Sequence, residues 1–199
     1  MPTTMQKRWI IGVISSIVMF VLVLTACSSE EQAELERVGP KTYSSPPPMI
    51  IDVSKNYTAI IRTNLGDITV ELFPEDAPQT VNNFVYLSKT GFYDRSPFHR
   101  VTKSFMIQAG QPAGIGSTGP GYSFDDEPIV KKYTVGTLSM ANRGPNTNGS
   151  QFFLNDDDLQ SRLPKNYTIF GRTTSGIDVV HKIASVPVTR NASSGENSQ

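Results

Sequence analysis

Apolar and polar residues alternate along Tyr57-Thr58-Ala59-Ile60-Ile61-Arg62-Thr63 and again along Ile68-Thr69-Val70-Glu71-Leu72-Phe73. A period of two is the pattern of a half-buried strand, and Asn64-Leu65-Gly66-Asp67 supplies a turn between the runs, so the spacing predicts a β-hairpin. From Pro78 to Lys89 the period changes. Val81, Phe84, Val85 and Ser88 recur at helical spacing, with Pro78 suited to a first turn and Gly91 to a stop. Short strands are predicted at Pro97–Val101, Phe105–Ala109, Thr134–Met140, Gln151–Asn155 and Tyr167–Arg172. A last helix fits Gly176 to Ala184, with Ile177, Val180 and Ile183 on one side and Pro187 beyond it. Ser193 to Gln199 is polar and is expected to fray. Many short strands, few helices and glycine-rich turns point to an antiparallel barrel or sandwich, and no internal repeat is visible.

The N-terminal part follows a different rule. Lys7-Arg8 precedes an uncharged, mostly aliphatic run from Trp9 to Thr25, which ends in Leu24-Thr25-Ala26-Cys27. A basic start, a short apolar stretch and small residues before a cut form a secretory pattern. With the cysteine at its end it resembles the lipobox of bacterial lipoproteins. That resemblance implies a signal peptide over 1–26, lipidation of Cys27, attachment to a membrane through the N-terminal lipid, and an exported, lipid-anchored domain on the extracytoplasmic face of a bacterial membrane. An uncleaved signal-anchor helix is the alternative. Residues 27–49, with Glu30-Glu31, Gly39-Pro40 and Pro46-Pro47-Pro48, lack an apolar period and read as a flexible tether. The folded domain is expected over 50–188, with 189–199 as a polar tail.

Composition narrows the chemistry. Lys and Arg number 18 and Asp and Glu 18, a neutral balance that argues against a nucleic-acid partner. Cys27 is the sole cysteine, so the domain after it has neither an internal disulfide nor a thiol nucleophile. Gly114-Ile115-Gly116-Ser117-Thr118-Gly119 fits a dinucleotide fingerprint, but Pro120-Gly121 follows where a helix should open. A glycine-rich surface loop bordering a groove is the better reading. Asp156-Asp157-Asp158 lacks the alternate spacing of a calcium loop and reads as a solvated turn; no metal is expected. His99 and His181 have no obvious nucleophile partner, and a structural role is the expectation for both. In a strand, His99 would face away from Arg100.

Arg100 is the feature that these bland readings leave over. It sits in Phe98-His99-Arg100-Val101, just before Phe105-Met106-Ile107-Gln108, and a guanidinium among aromatic and Met side chains is costly unless a ligand uses it. Without a nucleophile, metal cluster or cofactor loop, the chemistry is confined to binding, or to catalysis by hydrogen bonding and desolvation.

Two stretches, FHRVTKSFMIQ over Phe98–Gln108 and SMANRGPNTNGSQFF over Ser139–Phe153, resemble the signatures of cyclophilin-type peptidyl-prolyl cis-trans isomerases. The likeness runs from about Tyr57 to the last helix. It implies a mainly β fold, a closed eight-stranded antiparallel barrel capped by two α-helices. It further implies a monomeric enzyme without cofactor, acting on X-Pro bonds of proline-containing polypeptides, here exported clients whose folding it assists. By motif position Arg100 would be catalytic, with Phe105 and Gln108. Met106, Ala141, Asn142, Phe153, Leu163 and Tyr167 would line the substrate site. Two positions depart from the best-known eukaryotic pattern: Arg162 stands where that pattern has Trp, and Tyr167 where it has His. The first implies weak cyclosporin binding. A non-catalytic proline-peptide-binding chaperone module is the alternative, while an apolar-ligand barrel is disfavoured by the polar Asn148-Gly149-Ser150-Gln151 stretch.

Overall fold

The computed structural model describes residues 42–111, 119–190 and 197–198. The lipobox with Cys27, most of the tether and most of the Gly114–Gly119 motif lie outside the described residues. Strands β1 (Tyr57–Thr63) and β2 (Gly66–Leu72) form the expected hairpin, paired from Tyr57↔Leu72 to Thr63↔Gly66. Its turn is closed by Thr63, whose hydroxyl donates to the Gly66 carbonyl (2.7 Å) and accepts from the Leu65 amide (3.1 Å). Helix α1 (Pro78–Lys89) follows. Then come β3 (Arg100–Thr102), β4 (Met106–Ala109), β5 (Thr137–Met140), β6 (Phe152–Asn155) and β7 (Ile169–Ser175). Helix α2 (Ile177–Ala184) precedes the short pair β8 (Thr189–Arg190) and β9 (Asn197–Ser198).

Seven strands form one antiparallel sheet in the order β1-β2-β7-β5-β6-β4-β3. The fold is thus mainly β with two helices, but the closed eight-stranded barrel is corrected to an open seven-stranded sheet. Among the described residues no ladder joins the edges β1 and β3. Among the described residues after α2, Thr189-Arg190 pairs with Asn197-Ser198, which brings the latter two out of the expected fray. Strand ends also differ from expectation. Thr134 to Gly136 form a tight turn, with the Thr137 amide donating to the Thr134 carbonyl (3.1 Å) and Gly136 at φ +76, so β5 begins at Thr137. Pro97 to His99 stay outside the ladder.

The two-residue period sorts the side chains of the sheet. Ile68, Val70 and Leu72 of β2, Val101 of β3, Ile107 and Ala109 of β4, Leu138 and Met140 of β5, and Phe152 and Leu154 of β6 share one core with Phe170. Helix α1 adds Val81 and Phe84 to it, and α2 adds Val179, Val180, Ile183 and Ala184. Phe84 stacks edge-on against Phe152 at 5.5 Å and lies 5.3 Å from Phe170. Each large side chain fully buried here contributes about 1.5–3 kcal/mol. The alternate residues Met106, Phe153 and Ile169 form a separate cluster with Tyr133 and Leu159.

Helix α1 has no cap of its own, since Ala77 stands at its N-cap position. The acceptor comes from a distant loop. Buried Glu127 accepts the Gln79 amide (2.9 Å), the Thr80 amide (2.8 Å) and the Thr80 hydroxyl (2.6 Å). A carboxylate there meets both the orphan N–H groups and the positive end of the helix. Glu127→Ala is expected to destabilise the domain by about 2–4 kcal/mol in urea unfolding, because it strands three donors, two of them buried on Thr80. Glu127→Gln, which keeps an acceptor oxygen, is expected to cost less than half of that.

Candidate active site

Sheet register builds the site. Arg100 pairs with Gln108, Gln108 with Phe153, and Phe153 with Ser139, so these residues form one row across β3, β4, β6 and β5. Side chains of a row share a face. Met106 lies two residues from Gln108 on that same face, while Ile107 between them turns into the core. Phe105 precedes β4 and escapes the alternation, which lets it join Met106 rather than Ile107.

A groove of about 1000 Å³ opens over this row. All the residues that the sequence singles out for the substrate site line it: Arg100, Phe105, Met106, Gln108, Ala141, Asn142, Phe153, Leu163 and Tyr167. Its floor is apolar, with Met106 and Phe153 buried and Tyr167 edge-on to Phe153 at 5.6 Å. Its polar side is a chain of amides. Half-buried Arg100 donates from Nη1 to Gln108 Oε1 at 3.4 Å. Gln108 donates to Gln151 Oε1 and Gln151 to Gln111 Oε1, each at 2.7 Å. Arg100 and Arg143 carry charge among the described lining residues, and none of these is acidic. The field in the groove is therefore positive.

The rim is held by polar ties. Asp156 accepts the Ser104 amide (2.7 Å) and the His181 Nδ1–H (2.6 Å), while its own amide donates to the Phe105 carbonyl (3.0 Å). This fastens the β3–β4 turn, in which Ser104 has φ +55, and so places Phe105. Arg162 covers the same turn, its guanidinium 5.2 Å from the Phe105 ring centre and 2.6 Å from the Ser104 carbonyl. Across the groove, Tyr133 donates to the Tyr167 carbonyl (2.8 Å) and accepts the Tyr167 amide (3.1 Å). Asn142 donates to the Asn166 carbonyl (2.7 Å), and Leu163 donates its amide to the Leu159 carbonyl (2.9 Å).

Two expectations are corrected. Asp156 is not part of a solvated turn but is buried, because the Ser104 amide and His181 both need its oxygens. His99 lies before β3 rather than in it, so alternation does not turn it away, and it lines the groove beside Arg100. Sequence reasoning passed over Gln111, Gln151 and Tyr122, which also line it. The i, i+3 spacing of Gln108 and Gln111, beside Gln151 in the second stretch, was the available signal.

Comparison with known proteins agrees with this geometry. The family model described as "Cyclophilin type peptidyl-prolyl cis-trans isomerase/CLD" matches residues 58–198, and the chain belongs to that family. Peptidyl-prolyl cis-trans isomerase 9 of Schizosaccharomyces pombe is 49% identical over 130 residues, which are 63% of this chain and 21% of that protein. Peptidyl-prolyl cis-trans isomerase-like 1 of Neurospora crassa is 44% identical over 135 residues, 65% of this chain and 82% of that one. The chain thus spans about a fifth of the length of some curated relatives and most of the length of others. A crystal structure of a Cryptosporidium parvum cyclophilin-type isomerase, determined in the presence of the dipeptide Ala-Pro, superposes with a TM-score of 0.64 at 38% identity. It covers 71% of this chain and 91% of its own.

Burial raises the phenol pKa of Tyr93, Tyr122 and Tyr133 above the ordinary tyrosine value. Tyr122 is raised further by the neighbouring Tyr43 and Tyr86 hydroxyls. The folded state therefore keeps protons that the unfolded chain releases above about pH 10. In that range the unfolded state binds fewer protons, so stability falls as pH rises. The urea midpoint is expected to be insensitive to these groups below about pH 9 and to drop steadily as pH rises above about 10. Separately, Asp156→Ala is expected to cost about 1–3 kcal/mol in the same measurement, by leaving the Ser104 amide without its acceptor. His181→Ala, which spares that bond, is expected to cost less.

Proposed function

We propose that the domain catalyses cis-trans isomerisation of X-Pro peptide bonds. The observation that carries this reading is Arg100, held beside Gln108 at the edge of an apolar recess formed by Phe105, Met106 and Phe153. Rotation about an X-Pro amide faces a barrier of about 18–20 kcal/mol, set by delocalisation of the nitrogen lone pair. No bond has to break. As the amide twists, the proline nitrogen becomes pyramidal and its lone pair localises. A donor aimed at that nitrogen stabilises the twisted state more than either planar state, which is differential binding by a preorganised group.

Each part of the groove has a place in this scheme. Arg100 supplies a cationic donor that is rigid in its plane. Gln108, itself tied to Gln151, fixes the guanidinium and offers the amide that reaches the peptide backbone. Phe105, Met106, Phe153 and Leu163 hold the proline ring and exclude water, which strengthens the hydrogen bond. Ala141 and Asn142, set at the end of β5 by the bond from the Ala141 amide to the Gln151 carbonyl (2.9 Å), flank the preceding residue of the client. The Cryptosporidium protein crystallised in the presence of Ala-Pro supports proline-containing peptides as the ligand class.

The clients we infer are exported polypeptides whose folding waits on proline isomerisation. The support is the Leu24-Thr25-Ala26-Cys27 sequence after an apolar run, which favours a lipid anchor at Cys27 on the outer side of a bacterial membrane. Arg162, packed on Phe105, supports weak cyclosporin binding.

Exchange spectroscopy on an Ala-Pro peptide tests the reaction. The wild-type chain is expected to accelerate exchange, and Arg100→Ala to lower kcat/KM by about 100-fold or more, the usual cost of one such donor. Equal rates for the two would remove Arg100 from the chemistry. Peptide binding without any acceleration would turn the reading to a proline-peptide-binding chaperone. Mass determination of the mature N-terminus tests the lipid at Cys27.

A further inference from the structure

The segment before β1 is not all tether. Residues 42–56 lie ahead of the family match at 58–198, yet Tyr43 to Ile50 is fastened to the domain at both ends. At one end, the Asn82 side chain on α1 donates to the Pro48 carbonyl (3.0 Å) and accepts the Ile50 amide (2.7 Å). At the other, the Tyr43 amide donates to the Pro120 carbonyl (2.8 Å), and the Tyr43 hydroxyl lies 2.9 Å from Thr90 Oγ1 at the end of α1. The Tyr43 ring sits among aromatics, 5.6 Å from Tyr86, 6.4 Å from Phe92 and 6.4 Å from Tyr122. The tether expected over 27–49 is therefore corrected at its C-terminal end. Its prolines favour an extended course, which suits a strap as well as a linker.

What Tyr43 touches is the wall of the groove. Pro120, Gly121 and Tyr122 line the groove, and Tyr43 itself does not. Gly121 has φ +93, and a Cβ on it would fall 2.5 Å from the Tyr43 carbonyl oxygen. The two backbones meet directly there, with no side chain between them. Tyr122 continues the connection, its hydroxyl donating to Asn83 Oδ1, and Asn83 donates to the Gly149 carbonyl (2.8 Å), again in the groove lining. One wall of the groove is thus tied to α1 through Asn83 and to the strap through Tyr43.

We infer that Tyr43 is a positioning residue for client binding: it sets the wall formed by Pro120, Gly121 and Tyr122, against which the chain flanking the proline lies. This inference rests on the isomerase reading for its substrate class. The chain of side-chain bonds from Arg100 through Gln108 and Gln151 to Gln111 does not run through the wall, so loss of Tyr43 weakens binding of extended clients and leaves the twisting step alone. Such an effect raises KM with little change in kcat. It also depends on peptide length, because a short peptide that fills only the proline recess does not reach the wall.

The test uses the full chain, with a tetrapeptide and a longer proline peptide of about ten residues as probes. Tyr43→Ala is expected to raise KM for the longer peptide by about five- to tenfold, with kcat and the tetrapeptide's kcat/KM within about twofold of wild type. Tyr43→Phe, which keeps the ring and the backbone bond, is expected to stay within about twofold throughout. A second measurement needs no variant. Coupling is reciprocal, so saturating the wild-type chain with the longer peptide is expected to slow hydrogen exchange at the Tyr43 amide. Unchanged exchange there, or an unchanged KM in a folded Tyr43→Ala chain, overturns the inference. So does an equal loss on both peptides, which marks Tyr43 as merely structural. A wild-type chain that binds the peptide without accelerating exchange would sink the isomerase reading and leave this coupling measurable.

Discussion

The two-residue period of the sheet is the constraint from which the rest follows. β4 and β6 carry apolar residues on both faces, and the alternation assigns each residue to one side without overlap. Ile107, Ala109, Phe152 and Leu154 go down into the core with both helices, while Met106, Gln108 and Phe153 go up into the groove. A slip of one residue in either strand would exchange that strand's two sets, and a slip of β4 would carry Gln108 to the helix-covered face. The core therefore fixes the site: register that is strongly specified below leaves Arg100, Gln108 and Phe153 in one row above. This also explains how a guanidinium can lie beside aromatic residues at tolerable cost. It stands on the outer face at the end of a chain of side-chain amides, only half-buried, and never enters the apolar interior.

Sheet register positions only part of the groove. Phe105, Ala141, Asn142, Leu163 and Tyr167 sit outside the strands, where no ladder restrains them. For several of these loops a buried polar group supplies the fixed point. Asp156 does so for the turn before Phe105, and the Tyr133 hydroxyl for the backbone of Tyr167. Glu127 does the same for the start of α1 and also donates its amide to the Thr168 hydroxyl (3.0 Å), next to Tyr167. Each of these groups is costly to bury unless its bonds are made, so a loop that drifts leaves an unsatisfied group behind. That penalty favours one loop arrangement over its neighbours in a way that apolar contact alone does not.

This division explains what the sequence made legible. The hairpin, both helices and the approximate strand positions followed from periodicity, and the groove residues followed from two dense stretches whose likeness to a family covers most of the domain. Strand ends were less readable, because Gly136 at positive φ and the turn before Arg100 are local events that alternation does not mark. The ladders of the described residues show seven strands in the sheet and a separate pairing of Thr189-Arg190 with Asn197-Ser198, which no hydrophobic pattern marks. Asp156 was hidden by its acidic neighbours. Three adjacent carboxylates look alike in sequence, and only the fold gives the first of them a buried amide to accept.

The strap at Tyr43 was illegible for a related reason. Its prolines and serines carry no period, so composition alone made it a linker, and its contacts are with α1 and the groove wall, about 30 to 80 positions along the chain. A proline-rich segment has an advantage in this role. Its backbone is already extended and restricted, so docking costs less conformational entropy than it would for a glycine-serine segment of equal length. A few well-placed contacts, a backbone bond at Pro120, a ring among three others and a side-chain amide at Asn82, then suffice to hold it. The functional unit on this argument begins at Tyr43 rather than at β1. A segment that resembles spacer in composition meets the outside of the groove wall through the one aromatic residue it carries.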